Sequence, residues 1–160
     1  MARLFNDATP DWLSINTAAV TAMPLTLACW FNSNDATLTQ GLVWLGDKDS
    51  DTHMFYLAAR GATAGDPISA FIYGVSNAEA LTSTGYSANT WHHACGVYTS
   101  ATSRAAYIDG GSKGTNTTSI TPSGVDRTSI GRLNRLTPSQ AFSGRIAEVG
   151  IPLSSMTTLT

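Results

Sequence analysis

Trp91-His92-His93-Ala94-Cys95-Gly96-Val97-Tyr98 followed by Ala106-Tyr107-Ile108-Asp109-Gly110 decides the fold of this chain. Both phrases are apolar and β-prone, and Asp109-Gly110-Gly111 is a tight-turn signal between two strands. Two more phrases of the same kind follow, Ser129-Ile130-Gly131-Arg132 and Phe142-Ser143-Gly144-Arg145-Ile146-Ala147-Glu148-Val149. Short strands at even spacing with turn residues between them predict an all-β sandwich.

The first half carries the same grammar. Leu25-Thr26-Leu27-Ala28-Cys29-Trp30-Phe31 alternates, with Leu25, Leu27, Cys29 and Phe31 on one face and Thr26, Ala28 and Trp30 on the other. Ala2 to Phe5 reads as an entry strand, Trp12 to Ile15 as a short one, and Gly41 to Gly46 as a strand bounded by glycines. Met54 to Ala59 and Ile68 to Tyr73 read as a strand pair. Ala18 to Ala22 is at most one helical turn. Asn77 to Asn89 reads as loop, with a small strand at Ala80-Leu81. No helical period is sustained, and the two glutamates, Glu79 and Glu148, leave little for a surface helix. About a dozen strands in 160 residues imply two packed antiparallel sheets in one domain over 1–160, whole or as the N-terminal part of a longer protein.

Composition narrows the function. Charged residues are only 12% and the net charge is −2, with no Lys/Arg cluster. A phosphate backbone therefore has no electrostatic partner here, and nucleic acid is excluded as a partner. No apolar run reaches the roughly 18 residues of a membrane helix. Met1 to Asp7 has no signal-peptide pattern. The expected place of synthesis is the cytoplasm, with retention there or assembly onto a virus particle. Cys29 and Cys95 sit in no CxxC pair and read as small buried hydrophobes.

In order, Leu4-Phe5-Asn6-Asp7, Leu25 to Trp30, Trp91 to Tyr98, Tyr107-Ile108-Asp109-Gly110, Ile130-Gly131-Arg132 and Phe142 to Val149 resemble the laminin G-like, concanavalin A-like jelly roll, related to pentraxins. The flavour beginning at Met1 is similar to domains encoded by tailed bacteriophages and their hosts. The resemblance implies a jelly-roll sandwich that binds glycan or protein, as an adhesion module or as a capsid or tail decoration piece, and leaves homo-oligomers open. It also implies a closing turn, which Pro152-Leu153-Ser154-Ser155 begins.

The fold is shared with glycoside hydrolases, which need two carboxyls about 5 Å or about 6.5–9.5 Å apart. No acidic strand run, nucleophile elbow or zincin helix is present, so no catalytic residue is expected, and a divergent glycoside hydrolase is kept as a second alternative only because the fold is shared. His92 and His93 are adjacent, face opposite sides of a strand and cannot share a metal. Asp47-Lys48-Asp49-Ser50-Asp51 offers hard oxygens, but Thr52 and Ala58 stand where an EF-hand needs Gly and Glu. The resemblance to pentraxins makes Asp47, Asp49 and Asp51 candidate calcium ligands, against a merely solvated loop. Basic Arg132-Leu133-Asn134-Arg135 and Ala147 depart from the related sites. The resemblance also implies that the disulfide joining these two strands in pentraxins aligns with Ala28 and Ala94, one step before both cysteines, so Cys29 and Cys95 are expected as cross-strand neighbours, either as free thiols or as a bridge. Trp30, Trp44, Tyr56 and Tyr73 are available for sugar stacking, and Trp44, Tyr73 and Asn134 are the expected ligand contacts, with core packing as the alternative for each aromatic. Asn116-Thr117-Thr118 fits a glycosylation sequon and reads as turn chemistry.

Overall fold

A computed structural model describes residues 1–153. Twelve strands follow one another: β1 (Arg3–Phe5), β2 (Leu13–Ile15), β3 (Leu25–Ser33), β4 (Thr39–Gly46), β5 (Met54–Arg60), β6 (Pro67–Tyr73), β7 (Asn77–Gly85), β8 (His92–Ser100), β9 (Ser103–Ile108), β10 (Gly111–Asn116), β11 (Arg127–Ile130) and β12 (Gly144–Gly150). They form two antiparallel six-stranded sheets, β1-β12-β3-β8-β9-β10 (the front sheet) and β2-β11-β4-β5-β6-β7 (the back sheet). This is the expected sandwich. Among the described residues no helix is long and apolar enough to cross a membrane.

The core follows from alternation. Leu25, Leu27, Cys29 and Phe31 of β3 are fully buried between the sheets, against Leu57, Ala70 and Ile72 of the back sheet. Each large apolar side chain buried this way contributes about 1.5–3 kcal/mol. Tyr98 crosses the same layer. Its hydroxyl lies 2.9 Å from the Tyr56 carbonyl and 3.1 Å from that of Phe71, so its one polar atom is satisfied while it ties the sheets together. Burial pushes that phenol well above its ordinary range. Arg104 is buried too, and its guanidinium donates to Ala101 O at 2.8 Å, to Thr118 O and to Asn116 Oδ1. Asn116 Oδ1 also accepts from the Thr118 amide at 2.9 Å, which is the turn role expected of that sequon.

Two expectations are corrected. Ala18 to Ala22 holds no helical turn. Asn77 to Gly85 is a nine-residue strand, not a loop. Its inward Ala78 and Ala80 carry little strand propensity, with only Thr82 favouring a strand, and its pairing with β6 supplies the order. The closing turn from Pro152 falls partly outside the described residues, at Ser154 and Ser155.

The two sheets meet along β7 and β10. A Cβ at Gly114 would stand 1.7 Å from the Leu81 carbonyl oxygen, so only glycine allows this approach. The Thr84 hydroxyl donates to Ser112 Oγ across the same seam.

Candidate functional site

The back sheet turns an aromatic row outward: Trp44, Tyr56 and Phe71 lie opposite one another on β4, β5 and β6. Residues 131–142 fold over it as a roof. The Gly41 amide donates to Gln140 O at 2.8 Å, the Gly131 amide to Leu42 O at 3.1 Å, and Leu133 and Ser139 pair across the roof itself. Leu133 packs on Trp44, Met54 and Tyr56 as a second small core. Trp44 is fully buried, and its indole N–H points at Met54 Sδ at 3.3 Å. Asn134 is buried in the roof and accepts from Arg132 Nη2 at 2.9 Å. Neither is open to a ligand, which corrects two of the three expected contacts: the roof takes both as packing. Tyr73 alone lines a cleft, one of about 90 Å³ with Phe71, Arg60, Arg135 and Gln140. The cations there are already matched, Arg60 by Glu79 at 3.3 Å and Arg135 by Asp51 at 3.5 Å.

That last pair redefines the acidic end. Asp51 Oδ1 accepts from the Thr137 amide at 2.8 Å and its Oδ2 from the Thr137 hydroxyl at 3.0 Å, so Asp51 anchors the roof. The Thr137 amide leads in holding its carboxyl below the ordinary range, against desolvation and with help from the Thr137 hydroxyl and Arg135. Asp126, just before β11, joins Asp47 and Asp49 instead, with carboxylate oxygens all within 4.8 Å. Three hard oxygens suit calcium but fall short of the six to eight it takes. They are also engaged: Asp47 Oδ1 accepts from the Asp49 amide at 2.9 Å, Asp126 Oδ1 from the Lys48 amide at 3.1 Å, and the Lys48 ammonium sits on Asp49. Asp49 and Asp126 are exposed, and Asp47 is half-buried. The glutamates lie apart, Glu79 on the back sheet and Glu148 on the front.

Cys29 and Cys95 are on adjacent strands, as expected, but one rung apart. Cys29 faces Ala94, and Cys95 faces Ala28. Their side chains therefore leave on opposite faces, Cys29 into the core and Cys95 outward, and both are free thiols. Burial pushes the Cys29 thiol far up, with Cys95 adding to it, and pushes Cys95 up to about 11.

Among the described residues, the front sheet's outer face is bare where the back sheet's is roofed. Trp30 and Trp91 are 40% and 42% exposed. Around Trp30 the outward neighbours are small, Ala28 on its own strand and Ala147 across on β12, so the ring stands above its surroundings. His93, opposite Trp30, meets it edge-on at 5.3 Å between ring centroids. His92 points the other way, toward Phe31, and its Nδ1 lies 2.7 Å from Asp109 Oδ2. Asp109 Oδ1 also accepts from the His93 amide at 2.8 Å. Burial pushes the Asp109 carboxyl up, but the hydrogen bonds from His92 and His93 outweigh it and hold the group below its ordinary range.

Open hollows flank the two indoles. One of about 600 Å³ is lined by Trp30, Trp91, His93, Asp109 and Gly110. The other, about 380 Å³, runs from the same indoles to Ala147 and Glu148. Glu148 reaches it through a bulge: β12 pairs Ala147 with Trp30 and next Gly150 with Ala28, and Glu148 in between has φ +50°. Sequence reasoning placed Trp30 on the outward face but gave Trp91 and Glu148 no binding role. Two tryptophans near the start or middle of strands that pair was the available signal. The third exposed indole, Trp12, is 39% exposed and carries the Arg132 guanidinium 3.4 Å from its ring centroid.

Residues 7–157 match the sequence profile described as the concanavalin A-like lectin/glucanases superfamily. No curated protein matches the chain by sequence. Among solved structures, the heptameric SAP-like pentraxin of Limulus polyphemus is similar at TM-score 0.72 and 14% identity, over 98% of this chain and 76% of that one. The CBM40 of Ruminococcus gnavus IT-sialidase, bound to α2,3 sialyllactose, is similar at TM-score 0.71 and 10% identity, over 98% and 93%. The NanB sialidase of Streptococcus pneumoniae (K499G mutant) is similar at TM-score 0.73 and 15% identity over 98% of this chain, which spans 26% of that enzyme. At these identities the likeness is one of fold.

Proposed function

The chain belongs to the concanavalin A-like lectin/glucanases superfamily, and from that footing we propose that it is a non-catalytic module that binds glycan. The observation that carries this is the pair of exposed indoles, Trp30 and Trp91, standing in an open trough on the front sheet. An indole face is electron-rich and apolar, which suits the C–H-lined face of a sugar ring. Among the described residues the trough has no roof and no buried carboxyl pair, which suits holding a chain rather than cleaving it. That solved neighbours include a carbohydrate-binding module bound to a sugar supports the same reading. The test is a glycan array probed with the chain and with Trp30→Ala/Trp91→Ala. Binding that the double variant loses is expected. A blank array, or binding indifferent to the double variant, overturns the proposal.

Calcium belongs to this reading as an accessory. Asp47, Asp49 and Asp126 would hold it, with backbone carbonyls and water completing the shell. The ion would neutralise the cluster and brace the loops before β5 and β11. Calcium is then expected to raise Tm in the parent and in Asp51→Asn but not in Asp126→Asn. A Tm indifferent to calcium removes it.

A further inference from the structure

We infer that the trough takes the middle of an uncharged, linear polysaccharide, lying across the strands from Glu148 on β12, over Trp30 and Trp91, to Asp109 at the β9–β10 turn. This rests on the glycan-binding reading and specifies the ligand class.

Three observations carry it. The first is shape. The two hollows lie on either side of the same indoles, and both are open, so none of the described residues caps a chain end. Crossing β12, β3, β8 and β9 spans three strand spacings, about 14 Å, the length of a short oligosaccharide segment.

The second is charge. The side chains at the two ends, Glu148 and Asp109, are both carboxylates, and Met1 and Ala2 line the hollow beside Glu148. Carboxylates accept hydrogen bonds from sugar hydroxyls and repel uronate, sialate or sulfate groups. Asp109 is already oriented by His92 and His93, while each of its oxygens keeps a further lone pair.

The third is backbone. Glu148 is a non-glycine residue at φ +50°, in the left-handed region where a side chain costs free energy. Glycine would sit there without that cost. The bulge aims the Glu148 carboxylate into the hollow beside Trp30, and bulges serve to re-aim side chains next to sites. Ala147 keeps the hollow's floor small and uncharged.

The decisive variant is Glu148→Gly, because a structural and a binding role move it in opposite directions. Affinity gel electrophoresis would use laminarin, xyloglucan, galactomannan and arabinan as neutral polymers, against alginate, polygalacturonate and polysialic acid. Retardation by at least one neutral polymer and by no anionic one is expected. Isothermal titration with that polymer should show affinity at least tenfold weaker in Glu148→Gly, with Tm unchanged or higher. Asp109→Asn should weaken the same polymer less. Binding only to anionic polymers, or to monosaccharides as tightly as to the polymer, overturns this inference and leaves the glycan-binding reading standing. A Glu148→Gly variant with full affinity overturns it likewise. Trp30- and Trp91-dependent self-association, with no glycan bound by any probe, overturns both and makes the trough a protein interface.

Discussion

The outer faces of the two sheets carry the same kind of residue with opposite fates. Trp44, on the back sheet, is fully buried beneath Leu133 and the 131–142 roof, while Trp30, on the front sheet, is 40% exposed over Ala147. Both sit at outward positions of central strands. What differs is a cover supplied by a segment about ninety residues away in sequence. An outward tryptophan is thus packing where the chain returns over it and a contact surface where it does not.

The sharpest way to break this contrast is to truncate both indoles. Trp44→Ala empties a closed site and should cost about 3–5 kcal/mol, read by chemical denaturation. Trp30→Ala, on an open surface, should cost under about 1 kcal/mol while removing glycan retention. Equal losses of stability would erase the distinction. The roof itself comes next. A Cβ at Gly41 would stand 2.9 Å from Arg132 Cα and 3.1 Å from Gln140 O, both backbone. Gly41→Ala should therefore cost about 1–3 kcal/mol and raise the exposure of Trp44, seen as a red-shifted emission in a chain where the other tryptophans are replaced by phenylalanine.

The cysteines sharpen the same contrast at a single rung. Cys95 faces outward with a thiol near 11, and Cys29 faces the core with a higher one. With a thiol reagent at pH 8, Cys95 should react slowly and Cys29 only as fast as the protein unfolds. Loss of both thiols without reagent would mean a bridge that this register does not allow.

The smallest expected effect is in acid. Asp51 of the roof anchor and Asp109 of the open face both have carboxyls held below their ordinary value of 3.8. A depressed carboxyl stabilises the fold above its unfolded value, and that contribution is lost as pH falls through the folded one. Stability should decline below about pH 4, and Asp109→Asn should flatten part of the decline. A decline unchanged in Asp109→Asn would place the acid sensitivity elsewhere.

Much of the fold was legible because it is written in local alternation. The β3 pattern assigned Leu25, Leu27, Cys29 and Phe31 to the core and Trp30 to the outside, and the structure agrees. β7 was not legible, because Asn77 to Gly85 has Leu81 as its one large apolar residue among small and polar ones, and its strand state is imposed by β6. The site was legible only in residue type. Trp44 and Asn134 were expected at a ligand and lie under or within the roof, because nothing near either residue reports the 131–142 return. Asp126 was missed as a partner of Asp47 and Asp49 because it is brought there by β11 pairing with β4. Glu148 read as a solitary acid because a bulge is a mismatch between two strands, and one strand alone does not display it.

Gly114, pressed on the Leu81 carbonyl, has a consequence for crowding. The seam it permits turns the rims β7 and β10 toward each other, so neither offers a free ladder to a neighbouring chain. Any strand-sharing assembly would have to start from the far flank, at the three-residue β1 or β2.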